Sequence, residues 1–159
     1  MRQEIEAIYR QHRQGLFTLA LTLTGRCELA EDAIHDAFAR LWKLKFQPPG
    51  DTVAYVFASV RNAAIDQLRR RRPACQDSAS IYDGKSGPQA DAMAAETRDL
   101  VRIAIESLPQ DQREAVVMKV YGCLTFEQIA KTLGEPLATV ASRYRRAMDV
   151  LKARLEGKI

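Results

Sequence analysis

TFEQIAKTLGEPLATVASRYRRA, residues 125–147, carries two helical patterns on either side of Gly134-Glu135-Pro136. Thr125 with Gln128 three positions on is a capping box, so a helix is expected to begin there. Phe126, Ile129, Ala130 and Leu133 give that helix one apolar face. Gly134 suits the left-handed residue that ends a helix, and Pro136 sits where a new helix takes its first turn. Beyond it Val140, Tyr144, Ala147, Leu151 and Leu155 recur every three or four residues, a stripe expected to be buried. Thr139, Ser142, Arg143 and Arg146 fall on another face, which is polar and cationic. This is the pattern of a helix-turn-helix, whose second helix presents its N-terminal half to a DNA major groove. An ordinary helical hairpin with a solvated basic face has the same pattern, so the rest of the chain has to decide.

Working outward, the 159 residues suffice for one domain or two small ones, and 47% hydrophobic residues suffice for packed cores. The net charge of +4 is modest, so its distribution matters more than its size. Residues 61–72 hold five arginines against Asp66, and residues 143–154 hold four arginines and Lys152 against Asp149. Between them, residues 73–99 hold five acids against Lys85 and Arg98. Two basic segments separated by an acidic one suit two contacts with a polyanion. Cys27, Cys75 and Cys123 form no Cys-x-x-Cys pair, and His12 and His35 make no metal spacing with them. Small, semi-buried free thiols in a reducing compartment are expected, with no metal and no cofactor. The opening MRQEIEAIYRQHRQ is too polar for a signal peptide, and LFTLALTL (residues 16–23) is too short to span a membrane. A cytoplasmic protein without membrane insertion is the expectation.

Helical periodicity runs through the remainder. Ile5, Ile8, Tyr9, Leu16, Leu19, Ala20 and Leu23 mark one or two helices before Gly25. Residues 28–44 form a helix with Ala30, Ala33, Ile34, Ala37, Phe38 and Leu41 inward. KFQPPGDT (residues 45–52) breaks the pattern, since two prolines and a glycine cannot continue a helix. Residues 53–72 resume it on Val56, Phe57, Val60, Ala64 and Leu68. From Pro73 to Ala95 the text is rich in Ser, Ala, Asp, Gly and Pro, a flexible linker by composition. Helices over residues 96–108 and 109–121 then lead to the helix pair. The expected fold class is all-α: two small helical domains, 1–72 and 96–159, joined by a flexible linker at 73–95, the C-terminal one a helix-turn-helix.

At this point the chain resembles the extracytoplasmic-function sigma factors of the sigma-70 family. CELAEDAIHDAFARLWK (27–43) and VAYVFASVRNAAIDQLRRRR (53–72) look like the two helices of region two. The stretch from Ile105 to Leu155 looks like region four, with its Leu-Pro, its Arg-Glu and its Thr-Val before Ser-Arg. The motifs fall in order along nearly the whole chain.

The resemblance implies a non-enzymatic partner of core RNA polymerase (β′ and β subunits) that directs it to promoters. The positions matching the β′-docking surface are Glu31, Asp32, His35, Asp36 and Arg40, with His35 standing where glutamine is more usual. The loop at residues 45–52 and the helix after it match the element that captures the −10 sequence and supports the melted non-template strand. There Phe46 can supply a wall for an unstacked base and Asn62 its hydrogen bonds, while Phe46 can equally be core. Arg61, Arg69, Arg70, Arg71 and Arg72 match phosphate contacts. In the helix-turn-helix, Thr139 and Ser142 can bond base edges or phosphates of the −35 duplex. Arg143 can read guanine or grip phosphate, and Arg145 and Arg146 grip phosphate. An anti-sigma factor is a common partner in the family. A helix-turn-helix regulator working without polymerase explains residues 125–147 equally well, but leaves the two N-terminal basic and acidic helices without a task. A nucleic-acid enzyme ranks last, because the sequence shows no catalytic carboxylate cluster and no Gly-rich phosphate loop.

Overall fold

The computed structural model describes residues 2–70 and 92–158, which hold seven helices and, among the described residues, no strand. In chain order these are α1 (Arg2–Thr24), α2 (Cys27–Trp42), α3 (Thr52–Arg70), α4 (Ala92–Glu106), α5 (Gln110–Val120), α6 (Phe126–Leu133) and α7 (Leu137–Leu155). Residues 73–91 of the expected linker, with Arg71 and Arg72, lie outside the described residues. The last four residues of that expected linker are helical instead, because Ala92, Ala94 and Ala95 are strong helix formers that open α4.

In the N-terminal half α1, α2 and α3 pack pairwise around Leu16, Leu19, Ala30, Ala33, Val56, Phe57 and Val60, all without solvent exposure. Tyr9 and Phe38 meet edge to face at 5.0 Å. Asp51 caps α3, its Oδ1 accepting from the Ala54 N–H at 3.1 Å, so the helix starts where the Pro-Pro-Gly break ends. Leu68, expected in the buried stripe, is exposed, and Gln67 is buried in its place. The stripe runs Val56, Val60, Ala63, Ala64, Gln67, which turns position 68 outward. Gln67 Nε2 donates to Asp36 Oδ2 at 2.7 Å, tying α3 to α2.

In the C-terminal half Arg113 donates to the carbonyls of Glu106 and Leu108, each at 2.9 Å, and closes the α4–α5 corner. The Thr125 capping box is complete: Gln128 N–H reaches Thr125 Oγ1 at 3.1 Å and Thr125 N–H reaches Gln128 Oε1 at 3.0 Å. Gly134 ends α6 at φ 68°, in the left-handed region where a side chain is disfavoured. Pro136 is the N-cap of α7 rather than its first helical residue.

The two halves are packed on one another, which their sequences do not announce. α5 lies on α1 and α6 lies on α3. At the first contact Gly15 faces Gly122 so closely that a Cβ on Gly15 would stand 2.6 Å from the Gly122 Cα. Beside them His12 Nδ1 donates to the Gly122 carbonyl at 3.0 Å, and the His12 ring stands edge-on to Phe57. At the second contact Gln128 Nε2 donates to Asp51 Oδ2 at 3.2 Å, and the Thr132 hydroxyl lies 3.3 Å from the Ala54 carbonyl. Burial on both sides explains LFTLALTL: from Leu16 to Thr24 every residue but Phe17 is buried, as an all-round apolar helix segment requires.

Candidate nucleic-acid and polymerase-binding surfaces

The helix-turn-helix is built as its sequence suggests. Ile129 of α6 is fully buried, and Phe126 meets Tyr144 of α7 edge to face at 5.3 Å. Lys119 Nζ lies 4.7 Å above the Phe126 ring, a cation–π contact that ties α5 to the pair. Val140, Ala147 and Leu151 are buried, and Tyr144 and Leu155 pack on the core at its edge. This pins the face of α7 that points away. Arg145 and Arg146 are exposed on it, Thr139 and Ser142 half-buried.

Arg143 is placed differently. Its guanidinium lies 3.3 Å from Asp111 and 3.6 Å from Glu135, so it is held between two carboxylates of its own half. Arg61 of α3 is held too. Its Nε donates to Glu114 Oε2 at 2.9 Å, and Glu114 has a side chain only 3% exposed. Gln110 Nε2 donates to the other Glu114 oxygen at 3.2 Å, so both oxygens of this buried charge are occupied. Arg61, Gln110, Asp111, Glu114, Glu135, Arg143 and Leu133 line one cleft of about 260 Å³ between the halves. The acids of that cleft have no sequence signal, since Asp111 and Glu114 near the start of α5 look like ordinary dipole-favouring residues.

On the N-terminal half, the polar face of α2 leaves Glu31, His35 and Arg40 exposed and Asp32 and Asp36 half-buried. Asp36 is engaged by Gln67, so part of its role is internal. In the loop before α3, Phe46 is 82% exposed, which rules out the core alternative. Trp42 at the end of α2 and Tyr55 at the start of α3 are also exposed aromatics. Tyr55 was legible in principle, being an aromatic that falls off the α3 apolar stripe. Tyr55, Asn62 and Arg69 lie seven residues apart and so share one face of α3, on which all three are exposed.

Asp51 joins the two halves electrostatically. Burial pushes its carboxyl pKa up, but hydrogen bonds from Ala54, Gln128 and Val53 and the charge of Lys131 outweigh this and leave it below the usual value. Burial alone pushes the Tyr121 phenol up. Among the described residues no cluster of His, Cys, Asp and Glu is arranged to hold a metal ion, and no helix is long and apolar enough to cross a membrane. Cys27 and Cys123 carry free thiols and are exposed rather than semi-buried. Cys27 opens α2, and Cys123 sits in the α5–α6 turn at φ 55°.

Residues 8–74 match the family Sigma-70 region 2, and residues 98–151 match Sigma-70, region 4. The chain is 30% identical over 143 residues to the ECF RNA polymerase sigma factor EcfG of Rhodopseudomonas palustris, covering 89% of this chain and 79% of that one. It is 37% identical over 130 residues to the ECF RNA polymerase sigma factor RpoE of Cereibacter sphaeroides, covering 77% and 70%. Among solved structures, the sigma factor RpoE of Bartonella quintana, in complex with the anti-sigma factor NepR, superposes with a TM-score of 0.71. It covers 99% of this chain and 98% of that one at 24% identity, a likeness of fold.

Proposed function

The chain belongs to the extracytoplasmic-function branch of the sigma-70 family of RNA polymerase sigma factors, and from that premise we propose how its surfaces divide the work of initiation. The exposed face of α2, with Glu31, His35 and Arg40 foremost, docks on the β′ subunit of core polymerase, and the C-terminal half meets β. Phe46 stacks on an unpaired base of the non-template strand, Asn62 hydrogen-bonds it, and Tyr55 and Arg69 continue the same track along α3. Arg145 and Arg146 grip phosphates of the upstream duplex while Thr139 and Ser142 lie against the groove. The observation that carries this division is Phe46: an aromatic almost wholly in solvent, beside a capped helix, offers a stacking surface and does nothing for the core.

The protein supplies binding and positioning, and the chemistry of RNA synthesis belongs to the core enzyme. It therefore works in the cytoplasm, where that enzyme and the chromosome are. An anti-sigma partner is proposed by analogy with the Bartonella pair, whose sigma factor shares this fold.

Reconstituted transcription tests the proposal. Purified chain added to core polymerase on genomic templates yields defined start sites. Phe46→Ala and Asn62→Ala leave core affinity unchanged and slow promoter opening, since one base–aromatic stack contributes about 1–3 kcal/mol. Arg40→Glu weakens core binding instead. No defined start sites on any template, or equal loss of core affinity in all three variants, overturns it.

A further inference from the structure

Gln67 lies on the buried side of α3, away from the face that carries Tyr55, Asn62 and Arg69. Its Nε2 donates to Asp36 Oδ2 of α2 at 2.7 Å, a short bond to an ionised acceptor. Asp36 stands half-buried on the polar face of α2, one turn after Asp32 and one turn before Arg40. Among the described residues no cation is in ion-pair contact with Asp36, whose partner is a neutral amide.

The kind of partner matters. A carboxylate has about four acceptor positions, so one bond from Gln67 leaves the rest open. The amide fixes the direction of the carboxylate and cancels none of its charge. A lysine at position 67 would fix it too, but would neutralise it. An apolar residue would leave the charge intact and let the side chain turn among its rotamers. Glutamine both orients the group and preserves its charge. When a partner surface covers Asp36, the bond from Gln67 persists, so the carboxylate enters the interface partly satisfied and already ordered. Resting on the reading of α2 as the docking face, we propose that Gln67 is a positioning residue for polymerase binding. It touches no partner itself; it holds Asp36 aimed and fully charged for pairing with a cationic side chain of the core enzyme.

A double-mutant cycle on the full-length chain tests this, with affinity for purified core polymerase read from the anisotropy of an amino-terminal fluorophore. Asp36→Asn keeps an oxygen for Gln67 and removes the charge. It is expected to lower core affinity by about tenfold or more, as loss of one member of a buried interface pair does. Gln67→Leu is expected to weaken binding several-fold, and to weaken it no further when added to Asp36→Asn. Gln67→Lys keeps a donor on Asp36 but neutralises it, and is expected to match Asp36→Asn. A glutamine that only packs α3 on α2 would not produce that last loss in a folded chain. Losses that add across the cycle overturn the proposal, as does wild-type affinity in Gln67→Leu or Asp36→Asn. If circular dichroism shows that Gln67→Leu does not fold, Gln67→Lys decides alone, and wild-type affinity in it overturns the proposal. Arg40→Glu is measured beside them. Loss of affinity in Arg40→Glu alone sinks this inference and leaves the docking face standing, whereas unchanged affinity in every variant sinks the docking reading itself.

Discussion

The outer faces of α3 and α7 and the cleft between the two halves carry the same residue type in opposite circumstances. Arg69, Arg70, Arg145 and Arg146 stand in solvent on the two basic helices. Arg61 and Arg143, on the same two helices, face carboxylates of the cleft. The difference teaches that a cationic run is not one functional unit. A helix rotates its residues by about 100° each, so a run contributes some charges to an outer face and others to whatever packs against its flank.

Removing the cleft arginine is expected to have the largest effect. Arg61→Ala leaves Glu114 as a buried carboxylate with only Gln110 to hold it, and such an uncompensated charge costs about 3–5 kcal/mol. Arg70→Ala, on the outer end of the same helix, should stay within about 0.5 kcal/mol. Urea unfolding of the two variants measures both, and similar midpoints would erase the distinction between cleft and outer face.

The next effect sharpens the comparison on α7. Arg146→Ala removes a free charge, so it should flatten the plot of log duplex affinity against log salt by about 0.9. Arg143→Ala should flatten it less in the free chain, because its guanidinium is already matched to Asp111 and Glu135. Equal changes in slope would place the two arginines in the same environment.

The smallest effect concerns pH and the seam at Asp51. Its folded pKa lies below the unfolded value, so the carboxylate stabilises the fold at pH above the unfolded value. That contribution fades as the pH falls from the unfolded value through the folded one, because over that window the unfolded chain binds more protons than the folded chain. Urea midpoints should therefore decline between about pH 5 and pH 3, and Asp51→Asn should remove a measurable part of that decline. The asparagine retains an oxygen for the Ala54 N–H, so capping survives and the charge alone is tested. An identical pH profile in the variant would assign the acid sensitivity elsewhere.

Much of the fold was legible in the sequence because its causes are local. The Thr125–Gln128 box and the left-handed Gly134 act within four residues of themselves. Apolar spacing placed α1, α2, α3, α5 and α7 to within a few residues. It failed at Leu68, where the stripe could pass through 67 or 68 and packing against Asp36 of α2 decided for Gln67. It failed again at Ala92–Ala95, where composition resembled the linker but helix propensity prevailed. For the candidate surfaces, the sequence named residues to propose and the structure set their exposure: Phe46 proved largely open, while Asp36, Arg61 and Arg143 proved engaged.

The sequence by itself determined the helical character of the chain, the Thr125 capping box, the Gly134 helix end, the helix-turn-helix and the resemblance to the family, because hydrogen bonds from i to i+4 and a period of 3.6 residues are written in consecutive letters. Only the tertiary structure decided that the halves close on each other, with Arg61 reaching Glu114 across 53 residues and Gln128 reaching Asp51 across 77. Those pairs arise from rigid helices brought together by burial of α1 on both sides. Burial is non-directional and depends on the whole surface, so no short stretch of the chain can specify which charges it will bring face to face.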